Sequence, residues 1–179
     1  MRGFLICAGA VLAAIGIGIG AVSGAGTAEL GPPGHRFVVA WPAPPQQIER
    51  RAGSARLWAY LARSDGSTFE VAVSRGVAGL SPGERRAFER AWCRPARSST
   101  AVCAGWVAYS PPEVTRGSVE IEGRRVTVLY GPADVSGRGD AAGSFALATA
   151  RVLGFRWTIL AVGRAAEIRR FVASFTTAG

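Results

Sequence analysis

Beyond residue 35, apolar and polar positions alternate in short runs separated by Gly-, Pro- and Asp-containing breaks, the pattern of strands joined by tight turns. Arg36 to Trp41 (RFVVAW) predicts a first strand, stopped by Pro42, and Pro44-Pro45-Gln46-Gln47 continues as an extended segment. From Ala55 to Arg63, Leu57, Ala59 and Leu61 alternate with Trp58, Tyr60 and Ala62. Asp65-Gly66 then turns the chain into Thr68 to Ser74, with Phe69, Val71 and Val73 on one face, so the two segments predict a hairpin. Thr115 to Glu122 and Arg125 to Gly131 predict a second hairpin about Gly123, with Val119, Ile121, Val126, Val128 and Tyr130 turned inward. Ser144 to Val152 and Arg156 to Gly163 predict a third about Gly154.

Two segments break this period. Ser81-Pro82-Gly83-Glu84 is a helix start: Ser81 caps, Pro82 fits the first helical position and Glu84 completes a capping box. The helix should run to about Trp92, with Phe88, Ala91 and Trp92 as a narrow apolar stripe and Arg85, Arg86 and Glu89 in water. A second helix is predicted from Ala165 to about Phe175, because Ile168, Phe171, Val172 and Phe175 fall at i, i+3, i+4 and i+7. Between these elements Cys93 to Cys103 and Asp134 to Gly143 read as loops, and Ala104 to Ser110 as a short strand broken by Pro111-Pro112. Antiparallel hairpins with one helix mid-chain and one at the end predict an α+β fold, a single antiparallel sheet with both helices packed on it, preceded by an apolar N-terminal helix.

That N-terminal segment, Gly3 to Val22, sets the compartment. It follows Arg2 and ends in small residues, the marks of a secretory signal cleaved after Ala25, or after Ser23. It is also about 20 residues long, enough to cross a bilayer once as an uncleaved anchor. Glycines 3, 9, 16, 18 and 20 dilute its hydrophobicity and favour cleavage. Either way Arg2 stays inside and the rest of the chain lies outside the cytoplasm. The organisation expected is a signal peptide or anchor over 1–25, a flexible linker over 26–35, and one domain over 36–179.

Charge narrows the partners. The 179-residue chain carries a net +9, and every one of its 21 basic residues is arginine. Such a surface favours anionic envelope polymers, acidic protein partners or membrane surfaces. Nucleic acid is a poor partner outside the cytoplasm.

Phe37-Val38-Val39-Ala40-Trp41-Pro42, the Gly123 hairpin, and Arg170-Phe171-Val172-Ala173-Ser174-Phe175 resemble the opening strand, central hairpin and closing helix of secreted bacterial domains with a PsbP-like α/β/α sandwich fold. The resemblance covers most of residues 36–176; the Cys93 to Cys103 loop departs from it as an insertion. It implies an accessory or binding module with no catalytic set to carry over, and hence a protein that is not an enzyme.

Candidate chemistry is sparse. Cys93 and Cys103 in an oxidising compartment predict one disulfide closing a short loop, worth about 2.5–3 kcal/mol in the chain-entropy account. The single histidine, His35, reads as exposed and incidental. Gly79-Leu80-Ser81-Pro82-Gly83 spells a nucleophile elbow, but Pro82 has no N–H for an oxyanion hole, and Ser81 reads better as a cap. No run of His, Asp or Glu suggests a metal, and no cofactor is implied. Glu120 and Glu122 share a strand face and offer the alternative reading, an envelope hydrolase. Arg138-Gly139-Asp140 spells an adhesion tripeptide in a loop and reads as a turn. The main binding candidate is an anionic-ligand surface formed by Arg85, Arg86, Arg90, Arg124 and Arg125, with Trp58, Trp92, Trp106 and Trp157 either lining a groove beside it or buried in the core.

Overall fold

The structure, a computed structural model, describes residues 19–21, 27–85, 88, 114–134 and 142–178. In chain order the strands are β1 (Ile19–Ala21), β2 (Thr27–Leu30), β3 (Arg36–Ala40), β4 (Gln46–Ala52), β5 (Ala55–Ser64) and β6 (Ser67–Arg75). A 3-10 turn at Val77–Gly79 leads to helix α1, described at 82–85 and 88. Then come β7 (Thr115–Ile121), β8 (Arg124–Asp134), β9 (Ala142–Val152), β10 (Phe155–Gly163), helix α2 (Ala165–Ala173) and β11 (Thr176–Ala178).

The predicted hairpins form where the alternation placed them. The turns at Asp65-Gly66, Glu122-Gly123 and Leu153-Gly154 each carry two residues with positive φ, the backbone twist that two-residue hairpins require. All pairing is antiparallel, and eight strands make one sheet in the order β1-β4-β5-β6-β10-β9-β8-β7.

The expected α+β arrangement of one sheet with two helices on it is corrected. The molecule is mostly antiparallel β, and it has a second, three-stranded sheet in the order β11-β3-β2. The strand opening with Arg36 does not join the main sheet. It is the centre of the small one, because Phe37 and Val39 are fully buried against the large sheet while β2 and β11 satisfy its two edges. The segment read as a linker therefore carries β2, and the chain does not end on α2. The polar segment Gln46–Ala52, read only as extended at its start, is a strand pairing with β5. Of the apolar N-terminal helix, residues 19–21 are described, as a strand pairing with β4; the rest of the segment lies outside the described residues. Among the described residues no helix is long and apolar enough to cross a membrane.

The main core lies between the large sheet and the layer made by the small sheet and α2. Trp58, Tyr60, Phe69, Val71, Val128, Trp157 and Ile159 meet Phe37, Val39, Ile168, Phe171 and Phe175 there. Phe37 stacks on Phe175 at 5.6 Å, and Trp41 meets Phe171 edge-on at 5.2 Å. At roughly 2 kcal/mol for each large side chain fully buried, this layer dominates the stability. Helix α2 is held at both ends by serines. Ser67 Oγ accepts the Arg164 N–H and donates to Glu167, and Ser174 Oγ accepts the Ala40 N–H from β3.

The opposite face of β5 and β6 is buried too. Leu57, Ala59 and Ala72 pack with Leu80 and Phe88 of the α1 region. The predicted capping box starts that helix: Ser81 Oγ accepts the Glu84 N–H at 3.3 Å, and Glu84 accepts the Ser81 N–H at 2.9 Å. The Glu84 carboxyl is held below its ordinary value by the Ser81 hydroxyl, which donates to it at 2.6 Å, and by the Ser81 N–H.

Candidate functional site

Arginines converge at one end of the large sheet, beside the turns that close β6 to α1 and β9 to β10. Arg75 is the last residue of β6, Arg151 is near the end of β9 and Arg156 is near the start of β10. The two-residue turn at Leu153-Gly154 pairs Val152 with Phe155, so Arg151 and Arg156 stand directly opposite each other. Next to a hydrogen-bonded closing pair, the spacing is the closer one, about 4.5 Å between Cα atoms. Arg156 in turn lies opposite Ser74 of β6.

Helix α1 brings the fourth cation. The chain leaves β6 through Gly76 in the left-handed region (φ 73) and makes the 3-10 turn, and the capping box then aims α1 so that Arg85 returns to the sheet end. Arg85 Nη2 donates to the Ala78 carbonyl at 3.4 Å, across that turn. Ser74, Arg75, the Gly76-Val77-Ala78 backbone, Arg85, Arg151, Gly154 and Arg156 line a cleft of about 250 Å³.

Its electrostatics are one-sided. Among the described residues no carboxylate lines the cleft, and the ion pairs His35–Glu122, Arg51–Glu49 and Arg164–Glu167 use none of its arginines. Arg75 borders the cleft at the strand end, but its guanidinium turns to the core face of the sheet, its carbon 5.9 Å from the Trp58 ring centre and 5.7 Å from that of Phe155, so its charge lies on the opposite side from Arg151 and Arg156. A like-charge pair directly across two strands is destabilising. Arg151 facing Arg156, with Arg85 of α1 on the same side of the sheet, is thus a charge arrangement that an anion would relieve. Guanidinium groups match phosphate and carboxylate oxygens in pairs, and the cleft is the size of a small charged head group rather than of a large substrate.

The predicted surface of Arg85, Arg86, Arg90, Arg124 and Arg125 is brought together only in part. Arg85 is in the cleft. Arg124 is on the opposite face of the sheet, where it donates to the Arg151 backbone carbonyl at 3.3 Å. Arg125, the next residue on the strand, projects to the sheet face that Arg151 and Arg156 share, but it is turned to the edge strand, where it donates to Ser118 Oγ at 3.1 Å. Arg86, Arg90, Cys93, Cys103, Trp92, Trp106 and Arg138-Gly139-Asp140 lie outside the described residues. Trp157 is core, and Trp58 is a core residue that meets Arg75 at its edge. Sequence reasoning missed Arg151 and Arg156 as site residues. Fixing the Leu153-Gly154 turn was enough to put Arg151 opposite Arg156.

His35 is not incidental. Its Nδ1 lies 3.1 Å from Glu122 Oε1, and its ring sits 4.1 Å from that of Phe155. The Glu122 N–H donates to Thr177 of β11, so this pair ties the segment before β3 to the β7–β8 turn and the C-terminal strand. It also separates the two carboxylates of the hydrolase reading. Glu122 turns inward to His35 from a left-handed turn position (φ 48), while Glu120 stays exposed. Among the described residues no cluster of three or more His, Cys, Asp or Glu is placed to hold a metal.

One buried acid stands apart. Glu70 on β6 is 3% exposed, its Oε1 has no hydrogen-bond partner, and burial pushes its carboxyl up to about 8. Leu61 and Leu160 flank it on the adjacent strands.

No protein-family model matches this sequence, and no curated protein matches it.

Proposed function

We propose that this chain is a non-catalytic domain of the cell envelope, secreted or held at the membrane by its apolar N-terminal segment, that binds an anionic component through the cleft of Arg85, Arg151 and Arg156. The observation that carries the reading is the convergence of three arginines, Arg85, Arg151 and Arg156, uncompensated by any described carboxylate, on one cleft. The chain's excess of basic residues makes such a ligand attractive at long range as well. The resemblance to PsbP-like accessory domains points the same way. No observation favours the hydrolase alternative, since Glu120 and Glu122 diverge.

The test is calorimetric titration of the full chain with a short polyphosphate at several salt concentrations. Binding should weaken steeply with salt, and Arg151→Gln with Arg156→Gln should weaken it by about ten-fold or more, on the scale of two lost charge-assisted bonds. Arg116→Gln, on the far edge strand of the sheet, should leave it unchanged. An equal loss from all three substitutions would reduce the cleft to diffuse charge and overturn the proposal, as would no binding.

A further inference from the structure

Strand β7 ends the large sheet, and among the described residues nothing pairs with its outer edge. The two-residue turn at Glu122-Gly123 makes Ile121 and Arg124 a hydrogen-bonded pair, so Val119 and Gly117 also bond inward to β8. The backbone N–H and C=O groups of Arg116, Ser118 and Glu120 therefore point outward, an unfilled ladder of the kind that recruits another strand.

The side chains along this edge are self-complementary. Arg116 and Glu120 are both exposed and share a face, two residues either side of Ser118. Among the described residues neither has a side-chain partner. Arg125 lies directly opposite Glu120 on β8 yet donates to Ser118 Oγ instead. Arg116 forms no ion pair among the described residues. Arg116, Gly117, Ser118, Arg125 and Thr127 line an open groove of about 450 Å³ on the face of β7 and β8 from which Arg116 and Glu120 project.

We propose that two copies of this chain join through their β7 strands, antiparallel about Ser118, with Arg116 of each copy opposite Glu120 of the partner subunit. Every residue whose backbone groups point outward then meets another such residue: Ser118 meets Ser118 of the partner subunit, and Arg116 and Glu120 exchange bonds with their counterparts. The register is selected by charge. Centring the pair on residue 116 would oppose two arginines, centring it on 120 would oppose two glutamates, and centring it on 117 would leave both charges without a partner. Gly117 suits the close approach, because its own-chain neighbour Tyr130 already covers the space a side chain would fill, 2.9 Å from where a Cβ would lie.

Sedimentation of the full chain in mild detergent tests this, with Arg116→Glu, Glu120→Arg and an equimolar mixture of the two. The parent chain should dimerise. Each variant alone opposes like charges twice and should self-associate about ten-fold more weakly or worse. The mixture restores two opposite-charge pairs and should dimerise again. Both residues are exposed, so far-UV circular dichroism spectra of the variants should match the parent. As a second reading, Ser118→Cys should form a disulfide-linked dimer beyond any seen in the parent, the paired Cα atoms being about 5.5 Å apart. Arg116→Cys should not, because its two copies lie about 13 Å apart in this register. A monomeric parent, a dimer indifferent to the charge changes, a mixture that fails to recover, or a dimer that cross-links equally through residue 116 would each overturn the proposal.

Discussion

The Glu70 carboxyl makes folding stability fall with rising pH in a window where most proteins are flat. In the unfolded chain it titrates near its ordinary 4.5, and in the folded chain burial holds it protonated up to about 8. Between those values the unfolded state has released a proton that the folded state keeps. The folded state binds more protons, so the unfolding free energy drops by about 1.4 kcal/mol per pH unit. The stabilisation is complete below 4.5 and gone above 8. From pH 5 to pH 7 the loss from this one group is about 3 kcal/mol, a large share of the 5–15 kcal/mol that holds a typical domain together.

Glu70→Gln removes the titration while keeping the shape. At pH 5 the variant and parent should have nearly equal stability, and at pH 7 the variant should be more stable by about 3 kcal/mol. Glu70→Leu should be more stable still, because a hydrocarbon side chain between Leu61 and Leu160 leaves no unpartnered oxygen in the interior. Urea unfolding at pH 5, 6, 7 and 8 reads this directly, since every other titrating group cancels in the difference between parent and variant. Parallel stability profiles for parent and Glu70→Gln would refute the argument, because they would mean the carboxylate is already ionised in the folded protein.

Two backbone positions carry further predictions. Gly163 sits at φ 143 where β10 enters α2, and a Cβ there would fall 2.7 Å from the Ser67 Cα; Gly163→Ala should cost about 3 kcal/mol in urea unfolding and loosen the Ser67 bonds at the helix start. Leu153 occupies a left-handed turn position (φ 49) while 70% exposed, so it strains the backbone without burying its side chain; Leu153→Asn should raise stability by about 1 kcal/mol, seen as a higher urea midpoint at unchanged slope.

Local physics was legible in the sequence, and long-range pairing was not. The hairpins about Asp65-Gly66, Gly123 and Gly154 could be read because a period-2 pattern and its turn lie within about 20 residues of each other. The Ser81–Glu84 capping box and the Ile168–Phe175 stripe are equally local. What failed depended on distant partners. β2 and β11 are short strands whose ladder exists only because β3 lies between them, 130 residues or more from β11 along the chain. Gln46–Ala52 lacks an apolar face and becomes a strand by pairing with β5. His35 and Glu122 are separated by 87 residues. The second buried face of β5, β6 and β10 was concealed because alternation suggests one wet side, whereas Leu57, Ala59, Ala72, Glu70 and Leu160 are all buried on it.

The arginines show how far such reading can be taken. Arg124 and Arg125 are adjacent on a strand, so period 2 alone sends them to opposite faces, and grouping them as one surface was avoidable. Arg151 and Arg156 flank a two-residue turn symmetrically, so the same rule places them together. The chain thus uses its one cationic residue type in two ways. In the cleft, Arg85, Arg151 and Arg156 stand on one side of the sheet with no described carboxylate among them, the charge the proposed ligand would meet. On β7, Arg116 is spaced from Glu120 so that a second copy can neutralise both. These uses differ in their dependence on salt. Ligand binding in the cleft rests on unscreened attraction and should collapse as ionic strength rises. Edge pairing rests mainly on backbone hydrogen bonds, with the two ion pairs choosing the register, and should be affected much less.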